Sequence, residues 1–261
     1  MLAIIGGSGV YNPSMLEQVK EVRVETPYGM ITPLVGEYKG RKVAFLPRHG
    51  ADHSVPPHRI NYRANLWGLR SMGVKRIIAT TAVGSLNQEM KPGEFALIDQ
   101  FLDFTKTRHT TFYEGGDLGV AHVDYTEPYC PEMRGVLAVA ARDMEITLHD
   151  RGVYVCTEGP RFETPAEITM FSRLGGDLVG MTNVPEVVLA REVGICYATI
   201  SMVTNFAAGI SSGPLTHEEV LEIMKDNTDQ LRILLGKTLE TIPEKPGCVC
   251  QDAVRELKRF F

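Results

Sequence analysis

Polar side chains follow the apolar runs of this chain at several points. Leu2–Ile5, Lys42–Leu46, Lys75–Thr80, Leu178–Gly180 and Cys196–Val203 are each predicted to be β-strands. The residues that follow them are Ser8, Arg48 with His49, Thr81 with Ala82, Thr182 and Asn205. Because ligand sites in parallel sheets lie at the carboxyl ends of the strands, we expect these side chains to meet at one edge of a sheet.

Several of these residues could bind an anion. The Gly6–Gly9 segment could hold one through backbone N–H groups and the Ser8 hydroxyl, although a plain turn is the simpler interpretation of that segment alone. Arg48 offers a planar set of donors that matches phosphate oxygens, and pairing with a carboxylate is the alternative. Thr81 begins a run of small residues that lets a ligand approach the backbone, but it could also simply finish a strand.

The histidines do not predict a metal site. His49, His53 and His58 are spaced as on a helix, but Pro56 and Pro57 forbid a helix there. We therefore expect no metal at these residues.

Strands and helices alternate along the chain. The remaining predicted strands are Phe95–Asp99 and Val153–Thr157. The predicted helices are Asn61–Met72, Met133–Met144, Pro165–Leu174, Pro185–Glu192 and His217–Leu239. Thr26–Pro33 is turn-rich, and a long polar loop is expected after Asp99 through Tyr129. Since most strands are apolar without alternation, the pattern predicts an α/β fold with a central mixed, largely parallel sheet flanked by helices.

Length and charge restrict the class of protein. The 261 residues contain no linker or low-complexity stretch, so we expect one domain over residues 1–250 and a basic C-terminal tail over 251–261. The net charge of −5 argues against nucleic acid as a partner. No signal peptide or membrane-spanning run is apparent, which favours a cytoplasmic protein.

Five cysteines are present, at positions 130, 156, 196, 248 and 250. Cys130, Cys156 and Cys196 lie in apolar stretches and are interpreted as small core residues. The Cys248-Val-Cys250 pair could be a disulfide or a fragment of a metal site. Two ligands do not make a zinc site, so two incidental thiols are the favoured interpretation.

Taken together, the motifs resemble the trimeric purine nucleoside phosphorylase and methylthioadenosine phosphorylase family. The resemblance runs from Ala3 to about Leu239. It is carried by Ile4–Gly9, Arg48–Gly50, Asn61-Tyr62, Thr80–Ser85, Glu158–Phe162 and above all Met181–Glu192. The resemblance implies a nucleoside phosphorylase fold, a trimer or a dimer of trimers, and inorganic phosphate as co-substrate without a cofactor.

The same resemblance implies roles for individual residues. Phosphate is expected to contact Ser8, Arg48, His49, Thr81, Ala82 and Thr182, and the catalytic set is Asn205, Thr182 and His49. The nucleoside is expected to contact Phe162 beside the base, Met181 under the ribose, Glu163, and Asn205 with Phe206 and Ala207. His122 matches a residue that a neighbouring subunit lends to the site.

Two departures from the methylthioadenosine branch indicate the substrate. That branch has aspartate where this chain has Asn205 and Ala207, and a small polar residue in place of Glu163. A carboxylate accepts the N1–H of a 6-oxopurine, while an amide donates to O6 and accepts from a protonated N7. Glu163 could instead be a carboxylate that begins a helix. We therefore expect phosphorolysis of guanosine or inosine.

The 5′ end of the nucleoside is assigned to His217. It precedes a Glu-Glu-Val-Leu run similar to that of the 6-oxopurine branch, and a histidine favours a 5′-hydroxyl. A helix-terminal histidine without a ligand is the alternative. A methylthioinosine or methylthioadenosine phosphorylase and a non-catalytic purine-binding module remain as other hypotheses.

Overall fold

Thirteen strands, five α-helices and three short 3₁₀ helices occupy the part of the chain that the computed structural model describes, residues 1–7, 15–210 and 217–254. The strands are β1 (Leu2–Gly6), β2 (Glu17–Glu21), β3 (Val24–Thr26), β4 (Gly29–Ile31), β5 (Leu34–Tyr38), β6 (Arg41–Pro47), β7 (Arg76–Ser85), β8 (Phe95–Leu97), β9 (Gln100–Phe104), β10 (Leu148–His149), β11 (Val153–Thr157), β12 (Leu178–Gly180) and β13 (Cys196–Phe206). The helices are α1 (Tyr62–Ser71), α2 (Pro131–Asp143), α3 (Pro165–Arg173), α4 (Asn183–Glu192) and α5 (His217–Thr241).

All strands except the β3–β4 hairpin belong to one mixed sheet. Its main path runs in the order β10-β8-β13-β7-β1-β6-β5-β2, and β12, β11 and β9 branch from it. Its centre is parallel: β1 pairs with β6 and β7, and β7 pairs with β13. The far end of β7 also pairs antiparallel with β12, which leads on to β11 and β9. The C-terminal ends of the long strands β7 and β13 therefore lie beside a second group of strands, formed by β12, β11 and β9.

Helices cover both faces of this sheet. Leu66 and Leu69 of α1 and Val187 of α4 pack on one face, in the same core cluster as Ile5 and Ile77. Leu137 of α2 and Leu234 and Leu235 of α5 pack on the other face, with Ile4 and Ile78. Because successive side chains of a strand point to opposite faces, two covered faces require the uninterrupted apolar runs seen in the sequence. The predicted single-domain α/β class is confirmed.

Several segments differ from the prediction. β2, β5 and β10 are additional strands, and β13 continues to Phe206. The loop expected after Asp99 begins with β9, a five-residue strand that pairs in parallel with β11 and whose apolar residues are interrupted by Asp103. Strand β7 continues through Thr81 to Ser85 instead of ending at Thr80, because β12 and β13 supply partners to its last residues.

Several predicted site residues and most of the predicted tail fall outside the described part of the chain. These are Ser8, the side chain of His217 and residues 255–261 of the basic tail. Val254, within the predicted tail, is buried, as is Cys250 just before the tail. Among the described helices, none combines the length and the apolar character that crossing a bilayer requires.

Candidate active site

A cavity of about 360 Å³ opens at the carboxyl ends of the central strands. Arg48 and Thr182 reach it from just after β6 and β12, and Thr81 and Asn205 reach it from the parts of β7 and β13 that extend beyond the predicted strand ends. Of the predicted site residues, its lining includes Arg48, His49, Thr81, Ala82, Phe162, Glu163, Met181, Thr182, Asn205 and Ala207.

Arg48, at the start of the loop after β6, is held by a buried carboxylate. Its Nε and Nη2 donate to the two oxygens of Glu186 at 2.7 and 2.8 Å, and both side chains are 0% exposed. Nη1 donates to the carbonyl of Thr80 at 2.9 Å. Burial alone would lower the pKa of Arg48, but the Glu186 carboxylate outweighs this effect and raises that pKa. A cation fixed in this way can meet an anion without having to reorganise.

The backbone of Gly7 lies close to Thr80 and Arg48 at this corner of the cavity. The N–H of Gly7 donates to the Thr80 hydroxyl at 3.0 Å. A Cβ on Gly7 would lie 2.5 Å from the Thr80 carbonyl oxygen and 2.9 Å from Nη1 of Arg48. Position 7 therefore requires glycine, because any side chain there would force Gly7 away from Thr80 and the guanidinium.

His49 is a neutral ring beside this cation. Its Nδ1 lies 2.8 Å from the Val55 carbonyl, which can only accept, so Nδ1 carries the proton. Burial, together with the charge of Arg48, lowers the pKa of His49 to about 4. Nε2 is consequently an acceptor, suited to a protonated oxygen of an anion.

Two threonines supply hydroxyls. Thr81 Oγ1 lies 2.8 Å from Ser201 Oγ of the neighbouring strand β13. Thr182 is the residue before α4, and its side chain does not cap that helix. Its N–H donates to the Tyr154 hydroxyl at 3.3 Å. Both threonines are buried yet line the cavity, so each can offer its hydroxyl to a ligand.

A β-bulge directs Asn205 into the cavity. The pairing of β13 with β7 shifts register between Val203 and Asn205, and both Thr204 and Asn205 line the cavity. Such bulges re-aim side chains. The Thr204 hydroxyl donates to Oδ1 of Asn205 at 2.8 Å, and Nδ2 donates to the Phe206 carbonyl at 2.9 Å. The amide is thus fixed, while Oδ1 and Nδ2 each retain capacity for one more hydrogen bond.

Glu163 faces the same cavity and does not cap α3. Thr164 is the cap residue, and Glu167 completes its capping box. Glu163 Oε1 instead accepts from the Thr157 hydroxyl at 2.6 Å. Burial raises the pKa of Glu163, and the bond from Thr157 opposes the shift. A carboxylate has acceptor sites beyond one such bond.

Of the other residues predicted to contact the nucleoside, some line the cavity and some do not. Met181, Ala207 and Phe162 line the cavity, and Phe162 is 43% exposed. Phe206 and His122 do not line it: Phe206 is half-buried and offers its carbonyl to Asn205, and His122 is exposed.

Comparison with known proteins assigns the family. Residues 1–240 match the family model of the phosphorylase superfamily. The chain belongs to the phosphorylase superfamily. Among its relatives, a probable 6-oxopurine nucleoside phosphorylase of Moorella thermoacetica is 58% identical over 98% of this chain and 99% of its own. An S-methyl-5′-thioadenosine phosphorylase of Thermofilum pendens is 47% identical over 98% and 97%.

A solved structure of the same superfamily has the same fold. Methylthioadenosine phosphorylase from Schistosoma mansoni, in complex with adenine, superimposes with a TM-score of 0.91 at 35% identity. The match covers 97% of this chain and 95% of that one.

Three residues that hold the site side chains in place were not predicted from the sequence. Glu186 anchors Arg48, and Thr157 holds Glu163. Arg108, from the expected loop, donates to the carbonyls of Thr157, Glu158 and Val184 at 3.1, 2.8 and 2.6 Å. It thereby joins the segment before Glu163 to the segment after Thr182. Only Glu186 left a signal in the sequence, since a carboxylate within the apolar run 184–190 requires a buried cation.

Replacing Glu186 by glutamine is expected to lower the free energy of unfolding by about 3 kcal/mol, because Arg48 stays buried with its charge uncompensated. The Michaelis constant for phosphate should rise in the same variant as the guanidinium loses its fixed position. Denaturant titration and phosphate kinetics measure these two effects. Asp229→Asn, in the exposed pair with Arg232, is the control and should change stability by no more than about 0.5 kcal/mol. Equal stabilities of the two variants would contradict the assignment.

Proposed function

We propose that this chain catalyses the phosphorolysis of 6-oxopurine nucleosides, releasing hypoxanthine or guanine and ribose 1-phosphate for purine salvage. One observation carries the proposal: Glu163 and Asn205 line the same cavity as the anion-binding group Arg48, Thr81 and Thr182. A purine base and an inorganic anion can therefore be bound side by side. The high identity to relatives named for 6-oxopurine nucleosides supports the same conclusion.

The base would be recognised along its polar edge. The Glu163 carboxylate accepts N1–H and, in guanine, the 2-amino group, while the free N–H of Asn205 donates to O6. Adenine would present a bare N1 lone pair to the carboxylate and an amino group to the amide donor. Buried polar groups left unpaired in this way can produce about 10⁴-fold discrimination.

The reaction would proceed by positioning and electrostatics. The glycosidic bond breaks with oxocarbenium character, as in glycoside hydrolysis, and phosphate attacks C1′ from the face opposite the base. Phosphate held by Arg48, His49, Thr81 and Thr182 stabilises the positive sugar. As the glycosidic bond breaks, its electron pair passes to the purine, N7 takes up a proton from solvent, and Asn205 Oδ1 accepts a hydrogen bond from the resulting N7–H. These steps use phosphate as co-substrate and require neither a cofactor nor a metal.

A 5′-methylthio nucleoside is the second candidate. Val55, Pro56 and Pro57 give the cavity an apolar wall that would accept a methylthio group. Relatives at 46–48% identity are named for S-methyl-5′-thioadenosine. We favour the 5′-hydroxyl on the sequence context of His217.

We further propose that the active form is a homo-oligomer in the cytoplasm, a trimer or a dimer of trimers. Phe162 is an aromatic residue of the cavity that is nearly half exposed in the single chain, and a neighbouring subunit that lends His122 would cover it.

The test is an assay of base release with and without phosphate. We expect inosine and guanosine to be converted to free base and ribose 1-phosphate only when phosphate is present, with higher kcat/KM than 5′-methylthioinosine. Binding of inosine without any phosphate-dependent turnover would instead identify a purine-binding module, and preference for the methylthio nucleoside would favour the second candidate.

Acidification is expected to erode the preference for the 6-oxo base. Because burial raises the pKa of Glu163, the carboxyl group takes up a proton as the pH falls from neutral towards that pKa. A protonated carboxyl donates to N1 where the carboxylate accepts, which disfavours inosine and favours adenosine. The ratio of kcat/KM for inosine over adenosine should therefore fall with pH in the wild type and stay flat in Glu163→Gln. A ratio independent of pH in both would exclude titration of Glu163 as the cause.

A further inference from the structure

Four of the five cysteines meet in one cluster at the opposite end of the sheet from the cavity. The Sγ atoms of Cys130, Cys196, Cys248 and Cys250 all lie within 4.8 Å of one another. Cys248 Sγ lies 3.5 Å from that of Cys130 and 3.3 Å from that of Cys196. All four are free thiols, and three are buried.

The cluster joins three separate parts of the chain. Cys130 immediately precedes α2, Cys196 begins β13, and the Cys248–Cys250 pair lies in the segment after α5. Cys196 is nine positions before Asn205 on the same strand, so the cluster is about 30 Å from the base-binding side chains at ~3.3 Å per residue.

We propose that this cluster binds one Zn²⁺ ion through four thiolates, as a closed structural site that fastens the C-terminal segment to the core. Four-sulfur sites hold zinc tetrahedrally with Zn–S distances of about 2.3 Å, which corresponds to sulfur–sulfur distances of about 3.8 Å. The observed spacing needs only small side-chain movements to reach that geometry. Cys248 approaches both Cys130 and Cys196, whereas two disulfides would divide the four sulfurs into separate pairs.

Two features place positive charge near the cluster. Cys130 lies at the N-terminus of the 13-residue helix α2, where the helix dipole stabilises negative charge. Arg76 is directly opposite Cys196 in the β7–β13 register, so the two side chains share a face of the sheet.

Arg76 supplies a compensating charge. Its side chain is 3% exposed, and its Nε has no hydrogen-bond partner among the residues that the structure describes. Nη2 donates to Glu132 Oε1 at 3.1 Å, and Glu132 Oε2 accepts the N–H of Gly247, the residue before Cys248, at 2.9 Å. Zinc with four thiolates carries a net charge of −2, and a guanidinium on the same face of the sheet offsets part of that charge while also pairing with Glu132. Binding releases to solvent the protons that the four thiols carry.

Metal analysis of the full chain, purified with reductant and without chelator, tests the proposal. We expect about one zinc per chain and no reaction of the four cluster thiols with a thiol reagent until the metal is withdrawn. Co²⁺ exchanged into the site should give the visible absorption of a tetrahedral thiolate complex. Loss of the metal should lower Tm by roughly 10 °C while leaving kcat/KM for inosine at 25 °C within about twofold of the metal-bound enzyme.

Cys248→Ser and Cys250→Ser should each lose most of the zinc. Cys156→Ala is the matched control, because Cys156 is buried outside the cluster, and it should retain the metal. A reduced wild-type chain that leaves all four thiols reactive and binds no zinc at micromolar free metal would overturn the proposal. Two disulfides in protein purified without air, with no zinc uptake after reduction, would do the same. Neither result depends on the proposed substrate.

Discussion

Glu163→Ala is expected to abolish the preference for 6-oxopurine nucleosides. With the carboxylate in place, the mismatch at N1 should contribute most of a discrimination of about 10⁴-fold against adenosine. Without it, the N1–H of inosine is left unpaired and the N1 lone pair of adenosine is no longer opposed. We expect kcat/KM for inosine to fall by about 10²–10³-fold, and the two nucleosides to become equal within about tenfold. Steady-state kinetics with inosine, guanosine and adenosine measure this change.

The control is a carboxylate four residues further along. Glu167 caps α3 and pairs with Arg161 on the surface, so Glu167→Ala should reduce stability and leave the choice of base unchanged. If Glu163→Ala kept the preference of the wild type, or if Glu167→Ala lost it, base recognition would have to be assigned to other residues.

Asn205→Ala is expected to lower kcat by about 10²–10³-fold, the loss found when one preorganised hydrogen-bonding group is removed from a developing charge. The effect should appear in kcat more than in the Michaelis constant, because protonation at N7 strengthens the bond to Oδ1 as the glycosidic bond breaks.

Asn205→Asp separates the two functions of the amide. An aspartate still accepts from N7–H, but it repels O6 and accepts the 6-amino group of adenosine. Its kcat/KM should therefore shift towards adenosine while phosphorolysis persists. Wild-type turnover in Asn205→Ala would remove this residue from the mechanism.

The residues that line the cavity could be predicted from the sequence because strand ends are local features. The apolar runs mark β6, β7, β12 and β13. Arg48 and Thr182 follow β6 and β12, while Thr81 and Asn205 lie in the parts of β7 and β13 that extend beyond the predicted strand ends, and all four line one cavity. Their supports could not be predicted in the same way. Glu186 is 138 residues from Arg48, and Arg108 lies in a stretch that is predicted only as a loop, although β9 precedes it.

The β-bulge before Asn205 and the cysteine cluster could not be predicted from the sequence either. The register shift before Asn205 depends on the pairing of β13 with β7, which no pattern within β13 reveals. The prediction that Cys130 and Cys196 are buried core residues is confirmed. Their approach to the C-terminal pair depends on how the segment after α5 returns to the sheet, and only the folded chain contains that information.

The central claim is that Glu163 and Asn205 together select the 6-oxopurine edge beside a bound phosphate. The most direct measurement is the ratio of kcat/KM for inosine over adenosine at saturating phosphate and neutral pH. The account predicts that inosine is preferred by about 10³-fold or more. Equal rates, or a preference for adenosine, would contradict it.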